Sequence, residues 1–295
     1  MARNQKGKRD KRSATLYVVS TPIGNLEDIT FRAIQVLKSV DLIVAESVQH
    51  TRGLCRHFAV TTKLTSYNQH NRRTKAPALI ARLKSGSDVA LVSNAGTPAI
   101  SDPGVFLVNQ ALEHDIRVSP IPGPSAVTAA LSVSGLRNDG FVFAGFLPNR
   151  SGKRRRVLEG LESESRTLVF FESPHRLEAA LGDMLGVFGD RPAVFLRELT
   201  KVFEQVTRGT IASLAQGVVS TGVKGELTLI VAGKERETSS VGLDDKIQGR
   251  IADLLHAGGL TVRDIATRLS GEKGVAYRDI YRDCLEMKRK LKRPE

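Results

Sequence analysis

Tryptophan is absent from the 295 residues, and aromatic residues make up only 5% of them. A long base-stacking platform is therefore not expected. Only two cysteines occur, Cys55 and Cys284, far apart and in no C-x-x-C pair. That excludes a disulfide framework and a cysteine zinc site, and it points to a reducing cytoplasm. No apolar run approaches the roughly 18 residues that a membrane span needs. No secretory signal is expected, because the basic start is followed only by Leu16-Tyr17-Val18-Val19 before Pro22 breaks the segment. The 26 glycines contain no G-x-G pair, so the Rossmann dinucleotide fingerprint is missing. G-x-x-x-x-G-K, G-x-S-x-G and H-E-x-x-H are missing as well. No two of the six histidines stand at zinc-ligand spacing, and no metal site is expected.

Acidic residues are the scarcer charge. Lys and Arg number 44 against 31 Asp and Glu, a formal +13. Residues 1–12 carry six of the basic residues and one Asp, with no apolar pattern, and read as a disordered arm. A second cluster is Arg150, Lys153, Arg154, Arg155 and Arg156; a third is Lys288, Arg289, Lys290, Lys292 and Arg293. One such cluster is ordinarily a solvated face that aids solubility. Three on one chain favour a nucleic acid, held through phosphate contacts and counterion release. The remaining composition, 41% hydrophobic and 25% charged, is that of a globular chain long enough for about two domains.

Strand and helix signals alternate through the first half. Leu16–Val19, Leu42–Ala45, Val89–Val92 and Ile116–Val118 read as strands; Ile29–Val40, Ala76–Leu83 and Val105–Leu112 read as helices. This α/β order predicts a mostly parallel sheet. Pro120-Ile121-Pro122-Gly123-Pro124 ends it and reads as a domain boundary. Beyond it the spacing predicts a helix over 125–134, strands at 141–145, 167–171, 193–198, 202–207 and 226–232, and helices at 174–187 and 210–218. The strands at 193–198 and 202–207 suggest a hairpin, and so a mixed sheet. Residues 234–242 read as a linker. Only helical patterns follow, with Thr261 as a helix cap and Ile280, Cys284 and Met287 on one helix face.

Open α/β sheets bind ligands at the carboxyl ends of their strands. Three strand ends here carry loops of Gly, Pro and small polar residues: Thr21–Asn25, Ser93–Gly104 and Pro120–Ser125. Glycine lets a ligand approach the backbone, and proline fixes the loop's shape. Any α/β protein needs turns, but three such loops at successive strand ends favour one shared pocket. A fourth strand end carries Glu46, with His50 and Arg52 close behind.

Five stretches together resemble one family: Leu16-Tyr-Val-Val-Ser-Thr-Pro-Ile-Gly-Asn-Leu-Glu-Asp-Ile-Thr30, Ala95-Gly-Thr-Pro98 with Ser101-Asp-Pro-Gly104, Pro120-Ile-Pro-Gly-Pro-Ser-Ala126, Gly145-Phe-Leu-Pro148 and Phe171-Glu-Ser-Pro-His-Arg-Leu177. The family is the ribosomal RNA small subunit methyltransferase I family, 16S rRNA cytidine 2′-O-ribose methyltransferases. The resemblance runs from about Leu16 to about Ala232, and the helical tail also resembles the family's. It implies the tetrapyrrole-methylase type of fold: two α/β domains, here 13–122 and 123–235, with S-adenosylmethionine in the cleft between them, and a helical extension over 236–295.

The resemblance also implies roles. Ile23, Asn94, Thr97, Ile100, Ser125 and Ala126 take cofactor-lining positions, with Leu227 as a candidate for the adenine side. Glu172, His175 and Arg176 would lie near the cleft. Glu46 and His50, then Asp102, are the candidate bases, although a carboxylate at a strand end can equally cap the next helix. The Arg150–Arg156 segment, with Lys153, Arg154 and Arg155, would face RNA. Small-subunit rRNA is the implied partner, no membrane is involved, and a homodimer is implied. The chain departs from the family's pattern at Ser47, Gln69 and Asn94, where acidic residues are usual. These departures keep open a relative that binds RNA or the cofactor without turnover, and the implied fold, which also hosts tetrapyrrole chemistry, keeps open a methyltransferase for a small tetrapyrrole-like ring. Deleting residues 1–12 is expected to weaken RNA binding and flatten its dependence on salt. An unchanged slope in a salt titration would assign the arm no part.

Overall fold

The computed structural model describes residues 14–221, 225–235, 245–271 and 277–291. The basic arm, most of the 234–242 linker, and Lys292 and Arg293 lie outside them. The chain divides into two compact units, residues 1–234 and 235–295.

The first unit contains two five-stranded sheets. One is built from β1 (Thr15–Val19), β2 (Leu42–Ala45), β3 (Leu64–Ser66), β4 (Val89–Val92) and β5 (Arg117–Ile121), in the order β3-β2-β4-β1-β5. All its pairings are parallel. β2 and β4 lie inside and are buried at every residue, which is why they read as unbroken apolar runs. Helices α1 (Phe31–Ser39), α2 (Val48–His57), α3 (Arg72–Lys84) and α4 (Val105–Glu113) supply the crossovers. Two apolar layers result. Leu16, Val44, Leu83, Leu91 and Leu107 share one, and Val19, Leu37, Ile43, Ala90 and Val92 the other.

Two expectations are corrected here. The strand at Ile116–Val118 instead runs through Pro120 to Ile121. Its place at the sheet edge tolerates the missing N–H, and Ser20 N–H still donates to Ile121 O at 3.1 Å. The helix at Ala76 begins earlier, at Arg72, and carries Pro77 inside it. Helix α2 and strand β3 had not been anticipated.

The second sheet uses β6 (Phe141–Phe146), β7 (Thr167–Glu172), β8 (Pro192–Arg197), β9 (Gln205–Thr210) and β10 (Leu227–Val231), in the order β6-β7-β10-β8-β9. β6 and β7 are parallel and the other pairs antiparallel, so the sheet is mixed as expected. Helices α5 (Ala126–Ser134), α6 (Ser151–Glu159), α7 (Pro174–Phe188) and α8 (Ile211–Thr221) accompany it. β9 starts at Gln205 rather than 202, because Val202 and Phe203 belong to the exposed turn before it. Phe170, Leu158, Leu177 and Leu181 form the centre of its larger core.

The second unit holds α9 (Asp245–Ala257), α10 (Val262–Ser270) and α11 (Tyr277–Leu291) around Ile251, Ile265, Leu269, Ile280 and Cys284. Thr261 caps α10 in a reciprocal box with Asp264.

Helix α6 is fastened to α7 by a charge. Arg154 has a side chain only 4% exposed, and its guanidinium lies 2.7 Å from Asp183. Its remaining N–H groups donate to the carbonyls of Pro148, Asn149 and Ala179. Asp183→Ala strands that buried cation and is expected to lower unfolding free energy by about 3–5 kcal/mol in a denaturant melt. Arg150→Ala, on the exposed start of the same segment, should stay within about 0.5 kcal/mol of the parent.

Candidate functional site

Strand connectivity places the site. β1 connects onward to β2 on one side, and neighbouring β4 connects to β5 on the other. The loops that leave β1 and β4 therefore diverge and open a crevice at their carboxyl ends. The two loops are joined across it. Thr21 N–H donates to Gly96 O at 2.9 Å, and Gly96 N–H returns to Thr21 O at 3.0 Å. Ser20 and Thr97 share a hydroxyl–hydroxyl bond of 2.8 Å just beneath.

The loop after β4 is held in an unrelaxed shape. Ala99 and Ser101 sit at φ of 71° and 61°, left-handed values that side chains other than glycine avoid. Gly145, at the end of β6, comes so close to Ser101 that a Cβ there would lie 2.8 Å from its hydroxyl. The loop thus reaches the second sheet.

A cavity of about 440 Å³ fills the space between these loops and the second sheet. Ile23, Asn94, Thr97, Ile100, Ser125, Ala126 and Leu227 all line it, as do Glu46 and Asp102. The structure therefore brings together every residue expected at the cofactor and two of the three candidate bases. His50 is the exception. α2 carries it onto an exposed face outside this cavity, so it is not positioned as a base there. Glu172 lines the cavity as a buried carboxylate, 3.2 Å from Arg176 and accepting from Ser173 N–H at 2.8 Å. His175 and Arg176 do not line it. Phe146, Phe171, Leu199 and Glu226 do, and sequence reasoning had assigned them no role. Phe146 gave a signal in its place within Gly145-Phe-Leu-Pro148; it is 55% exposed at the cavity and packs on Phe171 at 5.5 Å.

Charge in the cavity is negative. Glu46 accepts from Asn94 N–H at 3.3 Å. Burial pushes the Asp102 carboxyl up to about 6, the charge of Glu46 adds to the effect, and a hydrogen bond with Ser93 opposes it. Asn94 Oδ1 is buried without a hydrogen-bond partner among the described residues. Ser125 opens α5 without bonding to its N–H groups through its side chain. A cationic sulfonium joined to an adenosine and a carboxylate suits this lining. The acids oppose the cation, the open α5 N-terminus and the orphaned amide oxygen offer polar bonds, and Ile23, Ile100 and Leu227 offer apolar walls.

The basic segment needs one correction. Arg150, Lys153 and Arg156 are exposed and Arg155 partly so, but Arg154 is consumed by the Asp183 pair and is not available to a polyanion.

The raised Asp102 value has a measurable consequence. Native protein holds this proton to higher pH than the unfolded chain, so between the ordinary 3.8 and about 6 the native state binds more protons. Stability contributed here therefore falls as pH rises through that window. Asp102→Asn should be most stabilising relative to the parent above the window, and show the least difference below it, in denaturant melts at the two ends.

Comparison with known proteins places this geometry in a family. The family model for tetrapyrrole (corrin/porphyrin) methylases matches residues 15–215. A protein of Halalkalibacterium halodurans named ribosomal RNA small subunit methyltransferase I is 44% identical over 90% of this chain and 93% of its own. Its namesake from Synechocystis sp. is 42% identical over 92% and 98%. Among solved structures, the cobalt precorrin-4 methyltransferase of cobalamin biosynthesis aligns with a TM-score of 0.60 at 15% identity, covering 76% of this chain and 97% of that one. A uroporphyrin-III C-methyltransferase from Thermus thermophilus, complexed with S-adenyl homocysteine, aligns at 0.55 and 19% identity over 74% and 97%. At these identities the structures speak for the fold alone. The sequence likeness spans nearly the whole chain, and with it the chain belongs to the ribosomal RNA small subunit methyltransferase I family, built on the tetrapyrrole-methylase fold.

Proposed function

We propose that the chain methylates the 2′-hydroxyl of a cytidine in small-subunit (16S) ribosomal RNA, with S-adenosylmethionine as donor. The observation that carries this is likeness to the Halalkalibacterium methyltransferase, at 44% identity over 90% of the chain. The lining of the cavity supports it.

When bound, S-adenosylmethionine supplies a methyl group already activated on a sulfonium sulfur. The residues of the chain must then place a hydroxyl in line with that methyl and take its proton. Ile23, Thr97, Ser125, Ala126 and Leu227 hold the donor, and the fixed loop after β4 presents Asn94 and Ile100 to it. Positioning of this kind removes most of the entropy cost of a two-reactant step. Asp102, half ionised near pH 6, accepts the hydroxyl proton at a carboxylate oxygen, and the like charge of Glu46 beside it strengthens its hold on that proton. Arg150, Lys153, Arg155 and Arg156 attract the RNA backbone without reading its sequence. The same reading gives a homodimer working in the cytoplasm, where small subunits are assembled.

The three neutral departures weigh little against turnover. Ser47 caps α2, accepting from His50 N–H at 3.4 Å, so serine does the work of an acidic cap. Gln69 is exposed and lines neither this cavity nor its neighbour. Only Asn94 touches the cavity, where Glu46 and Asp102 already supply negative charge.

Labelled cofactor incubated with small ribosomal subunits should yield a ribose-methylated cytidine on nuclease digestion. No methylation above blank at high enzyme concentration would overturn the proposal. Asp102→Asn is expected to lower kcat by about 10²–10⁴-fold while calorimetry shows the cofactor still binding.

A further inference from the structure

A second pocket, of about 550 Å³, lies beside the first and shares Asn94 with it. Helix α2 forms one wall through His50, Thr51, Gly53, Arg56 and His57. Three of these five can carry positive charge, and among the described residues no carboxylate lines the pocket. Thr51 among these is unusual. Thr51 is 2% exposed, and its hydroxyl has no hydrogen-bond partner among the described residues. A buried hydroxyl left unpaired is costly, so such a group calls for a partner such as a ligand atom. Asn94 Oδ1, orphaned and buried in the wall between the pockets, is a second such group. Gly53 faces open space: a Cβ built there meets nothing within 4 Å.

We propose that this pocket seats the sugar–phosphate of the RNA strand next to the methylated ribose. The inference rests on the rRNA reading and deepens it. A phosphodiester matches the cationic rim of His50, Arg56 and His57, and a ribose hydroxyl or phosphate oxygen matches Thr51. Asn94, which lines both pockets, then marks where the acceptor strand passes from this pocket to the donor cavity. His50, which lies outside the donor cavity, acquires a place: it holds substrate rather than taking a proton.

The test measures binding and catalysis separately. Gly53→Leu fills the pocket from a helix position with room for a side chain, and Thr51→Val removes the hydroxyl at nearly constant shape. Each should leave calorimetric affinity for S-adenosylmethionine unchanged. Each should weaken binding of a cytidine-containing single-stranded RNA, read by fluorescence anisotropy, about tenfold or more, and raise KM for small subunits more than it lowers kcat. Arg56→Ala should reduce the salt slope of RNA binding by about 0.7, the value of one single-strand phosphate contact. Wild-type RNA affinity and salt slope in Gly53→Leu and Arg56→Ala would overturn the proposal, whether or not subunits are methylated. Inorganic phosphate alone binding the parent more tightly than the RNA does would also overturn it, in favour of a free anion. Failure of the parent to methylate subunits, with RNA binding still lost in the variants, would instead count against the methyl-transfer reading.

Discussion

Two backbone hydrogen bonds between Thr21 and Gly96 set the architecture of the site. They tie the loops leaving β1 and β4 together where the sheet's connections diverge. Without that tie, each loop would be a surface turn free to adopt its own shape. With it, Ile23 from one loop and Asn94, Thr97, Ile100 and Asp102 from the other face one cavity. The left-handed backbone at Ala99 and Ser101 costs on the order of 1–3 kcal/mol per residue, and it persists because the surrounding contacts leave no alternative. A rigid frame suits a reaction in which alignment of three atoms is most of the catalysis.

Much of this was legible in the sequence, and for a definable reason. The site is made of loops whose shape depends on Gly and Pro, and those residues announce themselves. The β2 and β4 runs were equally plain, because a strand buried on both faces has no polar positions. What escaped notice depended on helical phase. α2 is short and polar, so its Thr51, Leu54 and Cys55 stripe gives little signal in the sequence, and neither does the phase that keeps His50 out of the donor cavity. In Lys153–Arg156 only one of four cations is buried. Arg154 stands one turn before buried Leu158, and the two share the inward face of α6. Composition shows that a segment is basic; only the phase of the helix shows which cation is withdrawn from solvent. The strand through Pro120 was misjudged because proline forbids a central strand, and β5 is an edge.

The distribution of charge now has a clear division. Acidic groups stand inside the donor cavity, at Glu46, Asp102 and Glu172. Basic groups stand outside it, on α2 and at the start of α6. A cation entering the cavity and a polyanion approaching its mouth are each met by the opposite sign.

The position of β1 in its sheet bears on how the protein is made. Leu16 pairs with Val89 on one side and Val118 on the other, and no nearer segment of chain offers it a neighbour. β1 is thus enclosed only once β4 and β5 have been made. While the ribosome adds the next hundred or so residues, an apolar strand waits unpaired. Parallel pairings between such distant segments are slow to close and exposed to aggregation in the interval.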